Sequence, residues 1–291
     1  MEFIKLDLEH RVLFEKYKPL SNPVSSVHNF TALYMWKDAL GIEISEVADV
    51  LYIRRTMPPI FGFLPPLAQD EQKLSEAIER MKQFADVNEF PAVIIDAETW
   101  VAEKLETQGI GFKIKEDRDN DEYLYDGERL RNLSGKKMHG KKNHYNNFVK
   151  NNEFTVRSLA ESKSAIIEMA KRWLKGRESA YTIGEFAGIK NSLENLSQLP
   201  ITGSAVFING RCEGFTISEP TSPDSVLVHV EKANDEINGM FTFINSENLR
   251  INHPTATIIN REQDLGIEGL RKAKESWKPT GFVHKFIIDL D

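Results

Sequence analysis

Residues 203–218, reading GSAVFINGRCEGFTIS, constrain the fold more than any other part of the chain. Two runs of alternating character flank Asn209-Gly210, a pair that tolerates positive φ at both central positions of a type I′ turn, so the segment is predicted to be an antiparallel hairpin. A lone hairpin is marginal in water and needs further strands or a covering helix. The sequence around it supplies both. Before it come a helix over 134–150 with Ser134 as cap, a strand over 154–158 and an amphipathic helix over 162–174. After it come strands over 225–230, 256–260 and 282–288, separated by helices over about 236–249 and 267–276.

The first part of the chain carries a shorter version of this alternation. Val27, Phe30, Leu33, Tyr34 and Trp36 recur at helical spacing before Gly41, and Leu74, Ala77, Ile78, Met81 and Phe84 do so after Asp70, a residue suited to cap. Strand-like runs at 50–54, 59–64 and 92–96 and a helix at 98–107 complete it, followed by β-rich runs at 112–115 and 122–126. At 291 residues the length favours two domains. The expected boundary divides the chain into 1–120 and 121–291. The start has early acidic residues and no secretory plan, and no apolar run reaches the length of a membrane span, so the chain is read as cytoplasmic with no transmembrane segment.

The order helix, hairpin, strand, helix, strand, helix, strand is that of an N-acetyltransferase-like domain. The fold class expected is α/β (α+β): tandem N-acetyltransferase-like (GNAT-like) domains, each a mixed sheet flanked by helices. Several stretches carry a more specific likeness: FTALYMW at 30–36, EYLYD at 122–126, LSGKKMH at 133–139, KKN at 141–143, VEKAN at 230–234 and INREQDLGIEGLR at 259–271. Together they resemble the phosphatidylglycerol lysyltransferase C-terminal domains and their small relatives, which are similar in fold to Fem-type aminoacyltransferases. The resemblance implies an aminoacyl- or acyltransferase, with aminoacyl-tRNA as donor in the characterised members and a lipid head group as acceptor. The membrane-embedded half of those enzymes is missing from this sequence, which leaves the acceptor open.

The candidate catalytic residues are Glu231, Lys232 and Asn234, at the C-terminal end of a predicted central strand, the usual edge for sites in open α/β sheets. There a carboxylate accepts a proton or holds an α-ammonium, and a lysine neutralises oxyanion charge; a structural Glu–Lys tie is the alternative. Asn260, Arg261, Glu262 and Asp264 follow the next strand, where arginine recognises carboxylate or phosphate and Asp264 is placed to orient it; a structural role is the alternative. Lys137, Lys141 and His144 form one helical stripe flanked by Lys136 and Lys142, fit for an aminoacyl-tRNA, an anionic small molecule or peripheral contact with anionic lipid, or else a solvated face. The net charge of −7 makes that stripe local.

No cofactor is predicted. Acetyl-CoA, the cofactor of an alternative N-acetyltransferase reading, is disfavoured in the second domain because the helix start at 236–241 carries Glu236 and Phe241 where phosphate needs a neutral or basic and a small residue. A third reading is a non-catalytic module that binds an anionic ligand. Single Cys212, inside a strand, excludes a disulfide framework, and the seven histidines form no metal-ligand pattern. Asp117, Asp119, Asp121 and Glu128 have calcium-loop spacing, but Glu122 stands where that loop needs glycine.

Overall fold

In the computed structural model, which describes residues 1–290, two mixed sheets are flanked by helices, the predicted architecture. The chain forms two compact units: residues 1–122 with 263–267 and the stretch from Val283 onward, and residues 123–262 with 268–282. Local chemistry sets the element ends. Asn29 accepts from the amide of Ala32 to start the helix Phe30–Leu40, and Gly41 ends it in the left-handed conformation at φ 59°. Asp70 caps Glu71–Asn88 in the same way, and Ser158 with Glu161 forms a reciprocal capping box on Leu159–Leu174.

The first unit's sheet runs Ile4–Lys5, Ile42–Val47, Val50–Arg55, Gly62–Phe63, Val93–Ala97, Phe286–Asp289, Lys113–Glu116, with Leu67–Ala68 added to Val50–Arg55. Ile42–Val47 is a strand that periodicity missed, and it pairs along its whole length with Val50–Arg55. The single terminal strand expected over 282–288 is two strands. Gly281–Val283 joins the second sheet, while Phe286–Asp289 lies between Val93–Ala97 and Lys113–Glu116 in the first. Ile288 and Leu290 explain the crossing, since both are buried in the core formed by Ile78, Met81, Ile94 and Leu105. The units are therefore not two consecutive segments.

The second unit's sheet runs Gly281–Val283, Glu122–Asp126, Ile258–Asn260, Ser225–Ala233, Arg211–Pro220, Ser204–Ile208, Phe154–Ser158. The predicted hairpin lies between the central strand Ser225–Ala233 and the edge strand Phe154–Ser158: Asn209 and Gly210 take φ 50° and 77°, and Ile208 faces Arg211 across the turn. The helices Gly127–Asn132, His139–Asn151 and Met240–Asn252 supply Leu130, Phe148, Phe243, Ile244 and Leu249 to its cores. The helix expected over 134–150 starts later, as a 3-10 turn Lys136–Met138 leading into His139–Asn151. A further helix, Ala180–Glu194, escaped the periodicity reading because small and polar residues interrupt its apolar pattern.

Candidate functional site

Ser225–Ala233 and Ile258–Asn260 run parallel, yet backbone pairing covers only Ser225, Val226 and Leu227 against Ile258, Ile259 and Asn260. Beyond Leu227 the longer strand continues without that partner, and side chains take over from the ladder. Arg261 Nη2 donates to Glu231 Oε1 at 2.8 Å, and His229 Nδ1 lies 2.9 Å from Glu262 Oε1. This fork is where the sequence placed the chemistry.

A bulge decides which side chains meet there. Ile217 faces Val230 and Ser218 faces Val228, leaving His229 as the extra residue. Val226 and Val228 pack with Leu249 of the helix Met240–Asn252, and Glu231 reaches the same helix, accepting from Asn245 Nδ2 at 2.8 Å. Lys232, the next residue, points to the opposite face, as strand alternation requires. There it pairs with Glu185 at 2.7 Å and lies 3.7 Å over the Trp173 ring.

Around Glu231 three buried polar atoms have no hydrogen-bond partner: Arg261 Nη1, Asn245 Oδ1 and Thr216 Oγ1, the last on the residue directly across the ladder from Glu231. Arg261 is held from behind. Its backbone amide donates to Tyr123 O at 3.0 Å, its carbonyl accepts from the buried Lys274 ammonium, and its guanidinium lies 5.2 Å from the centre of the Trp277 ring. Lys141 approaches the same ring, with Nζ 4.4 Å from the centroid and 2.7 Å from Ser276 Oγ. Burial, with the Arg261 charge adding to it and Glu231 opposing it, brings the Lys141 pKa down to about 8.

The sequence-predicted residues thus separate into groups. Glu231, Arg261 and Lys141 form one charged cluster with Asn245. Asn260 is buried at its base, its side chain accepting from the amide of Glu262 at 2.7 Å. Lys232 belongs to the other face of the sheet. Asn234 holds a turn, accepting from Glu236 N and donating to Glu213 Oε2 at 3.1 Å. Asp264 was expected to orient Arg261, but Glu231 takes that position; Asp264 lies in the first unit, 3.4 Å from Arg118 Nη1. Lys137 and Lys142 are exposed, and His144 contacts Asn238 at 3.1 Å. Asn245, Thr216, Trp277 and Lys274 were missed, since in sequence they look like ordinary members of a helix or strand; the one available signal was the polar run Asn245-Ser246-Glu247-Asn248 directly after Phe243-Ile244. Cys212 is buried and its thiol is pushed up to about 11 by desolvation, a poor state for a nucleophile.

The cofactor of N-acetyltransferases would need free amides at the start of Met240–Asn252. Gly239 precedes that helix at φ 82°, and a Cβ there would lie 2.1 Å from His144 O, so this glycine is spent on close packing against the helix His139–Asn151. With exposed Glu236 and Phe241 beside it, this helix start does not fit a pyrophosphate.

The family model for the phosphatidylglycerol lysyltransferase C-terminal region matches residues 19–289. The chain belongs to that family. Among solved structures, a conserved protein of unknown function from Bacteroides thetaiotaomicron is similar over 100% of both chains, with 25% sequence identity and a TM-score of 0.90. The L-PGS structure from Bacillus licheniformis is similar over 97% of this chain and 91% of its own, with 15% identity and a TM-score of 0.67, a likeness of fold. An uncharacterised protein of Mycoplasmoides gallisepticum is 25% identical over 218 residues, 71% of this chain and 68% of that protein. The fold is therefore that of the phosphatidylglycerol lysyltransferase C-terminal family, and the fork with its unpaired polar atoms lies within the matched residues. No helix among the described residues is long and apolar enough to cross a membrane.

Proposed function

We propose that this chain transfers an activated acyl group, in aminoacyl form, from an ester donor such as aminoacyl-tRNA to an amine or hydroxyl acceptor. The observation that carries this reading is the set of unpaired buried atoms around Glu231. Arg261 Nη1 is a fixed donor, Asn245 Oδ1 a fixed acceptor, and Glu231 lies between them, bonded to both residues. An α-aminoacyl ester has matching groups: an ammonium for Asn245 Oδ1 and Glu231, and a carbonyl oxygen for Arg261 Nη1.

The proposed step is direct. The acceptor's nitrogen or oxygen attacks the ester carbonyl carbon, the bond from that carbon to the donor's oxygen breaks, and the acceptor's proton ends on the departing oxygen. Arg261 donates to the oxyanion that forms between attack and departure, and it is already positioned by Glu231, Lys274 and Trp277 before any substrate arrives. Lys141 adds a second cation whose lowered pKa keeps a fraction of it neutral near pH 8. Lys232 serves the scaffold in this scheme rather than the oxyanion. The exposed lysines Lys136, Lys137 and Lys142 suit the phosphates of a tRNA donor, an attraction that weakens with salt.

Incubation with a pool of charged tRNAs and labelled amine and alcohol acceptors tests the reading. Transfer that disappears in Arg261→Ala supports it. Absence of both transfer and salt-dependent tRNA binding overturns it.

A further inference from the structure

The first unit carries a cleft that the transfer scheme leaves unused. It measures about 350 Å³, within the roughly 300–1,000 Å³ common for small-ligand sites, and lies where residues 20–22 and 66–70 meet the helices Glu71–Asn88 and Thr99–Thr107. All of these stretches belong to the first unit. Its apolar side is anchored in the core. Leu67 and Leu74 are buried, and Trp100 is half-buried against the cluster that holds Ile78, Met81 and Leu105.

The polar groups of the cleft divide into engaged and unengaged. Ser21 Oγ donates to Lys18 O at 2.8 Å, while Asn22 donates to Glu98 Oε2 at 2.8 Å and accepts from the amide of Val24 at 3.0 Å. Asp70 accepts from the amide of Lys73 at 2.7 Å, and the positive end of the helix holds its charge in place. Lys104 has no such engagement. It is half-buried, its ammonium lies 5.7 Å from the centre of the Trp100 ring one turn earlier in the helix, and among the described residues it meets no carboxylate. A half-buried cation on an apolar cleft, without a counter-charge, is what a ligand can satisfy.

The chemistry of that ligand follows by elimination. An amine would meet the Lys104 ammonium. A phosphate needs several donors, and the cleft offers one unengaged cation together with the fixed Asp70 carboxylate. An uncharged apolar molecule covers Trp100 and leaves Lys104 as it was. A monocarboxylate on an apolar body answers both sides, with a charge-assisted hydrogen bond from Lys104 and apolar burial beside it. A ring suits the body better than an alkyl chain, because it packs edge-on or offset against Trp100 and has no rotamer freedom to lose. We propose that this cleft binds a small aromatic carboxylate, with its carboxylate on Lys104 and its ring against Trp100 and Leu74. The proposal uses no residue of the Glu231 cluster and does not rest on the transfer function.

The test is a titration of the full-length protein, 15N-labelled at its four tryptophans, with naphthalene-2-carboxylate at neutral pH, read at the indole N–H signals. Trp100→Phe assigns the Trp100 signal, and 2-naphthylmethylamine, 2-naphthylmethanol and decanoate are the contrasting probes. The expected result is a saturable shift of the Trp100 signal with the naphthoate. Affinity should be at least tenfold lower for each contrasting probe, and at least tenfold lower for the naphthoate in Lys104→Gln, with the unfolding midpoint as the check on integrity. No saturable shift at Trp100, equal affinity for any contrasting probe, or undiminished affinity in folded Lys104→Gln overturns the proposal. Should that variant fail to fold, the neutral alcohol decides the role of the charge without it. Arg261→Ala should bind the naphthoate as the parent does; a loss there would move the ligand to the transfer cluster and overturn the cleft. Naphthoate binding in a protein that transfers to no acceptor supports the cleft while removing the transfer function.

Discussion

Each unit buries a charged cluster, and the two are finished differently. In the first, Lys285 Nζ meets Ser25 Oγ at 2.7 Å, Glu122 Oε1 at 3.1 Å and Glu98 Oε1 at 3.5 Å, one partner for each of its donors. The carboxylates are closed off in turn: Glu98 accepts from Asn22 Nδ2 at 2.8 Å, and Glu122 from both the amide and the hydroxyl of Ser26. In the second, Glu231 and Arg261 bond each other but leave Arg261 Nη1 and Asn245 Oδ1 unpaired. A saturated network acts as a clamp, since nothing is left in it to bind a ligand. A buried network with open positions carries a desolvation cost that a substrate can relieve.

The comparison is sharpened most by Lys285→Ala. It strands two buried carboxylates, and loss of one partner from a buried ion cluster typically costs about 3–5 kcal/mol. Chemical denaturation should show that loss, with transfer by the remaining folded protein unchanged. Arg261→Ala should cost less stability, about 1–3 kcal/mol, because Glu231 keeps its bond from Asn245; a loss as large as that of Lys285→Ala would show that Arg261 is also a clamp.

Lys141 offers a test by pH. Its folded pKa of about 8 lies below its ordinary 10.5, so between those values the unfolded chain binds more protons and stability rises with pH. The penalty for burying the charged amine is fully present below about pH 8 and fades as pH rises toward 10.5. Lys141→Met should therefore be more stable than the parent by a margin that shrinks across that window, as unfolding midpoints at pH 7, 9 and 10.5 would reveal. The smallest effect is expected at the exposed lysines. Lys137→Glu with Lys142→Glu should lower tRNA affinity and reduce the salt slope by about one for each phosphate no longer neutralised, with no change in stability.

The two regions also differed in how far the sequence disclosed them. The hairpin was readable because Asn209-Gly210 dictates a turn locally, and the helix after Asp70 because its cap acts within three residues; the caps Asn29 and Ser158 emerged only with the structure. Glu231 and Arg261 were readable as strand-end residues, but their pairing depends on a bulge at His229 that no local pattern signals. Lys141 was picked for its place in a basic stripe, whereas Trp277 and Ser276, more than a hundred residues away, draw it into the cluster. The Lys285 clamp was not seen at all. Its partners Ser25, Glu98 and Glu122 come from separate stretches of chain, and the strand after it joins a sheet that chain order does not predict.

The central claim is that the Glu231 cluster is built for a substrate, and single-turnover transfer from charged tRNA by Glu231→Gln tests it most directly. The amide preserves shape but removes the charge that holds Arg261 and an incoming ammonium. The account predicts a rate lower by about a hundredfold or more, a fall well beyond what the loss of about 1–3 kcal/mol of stability from the uncompensated Arg261 charge can explain. An unchanged rate, or a fall in rate that only tracks a fall in stability, would contradict it.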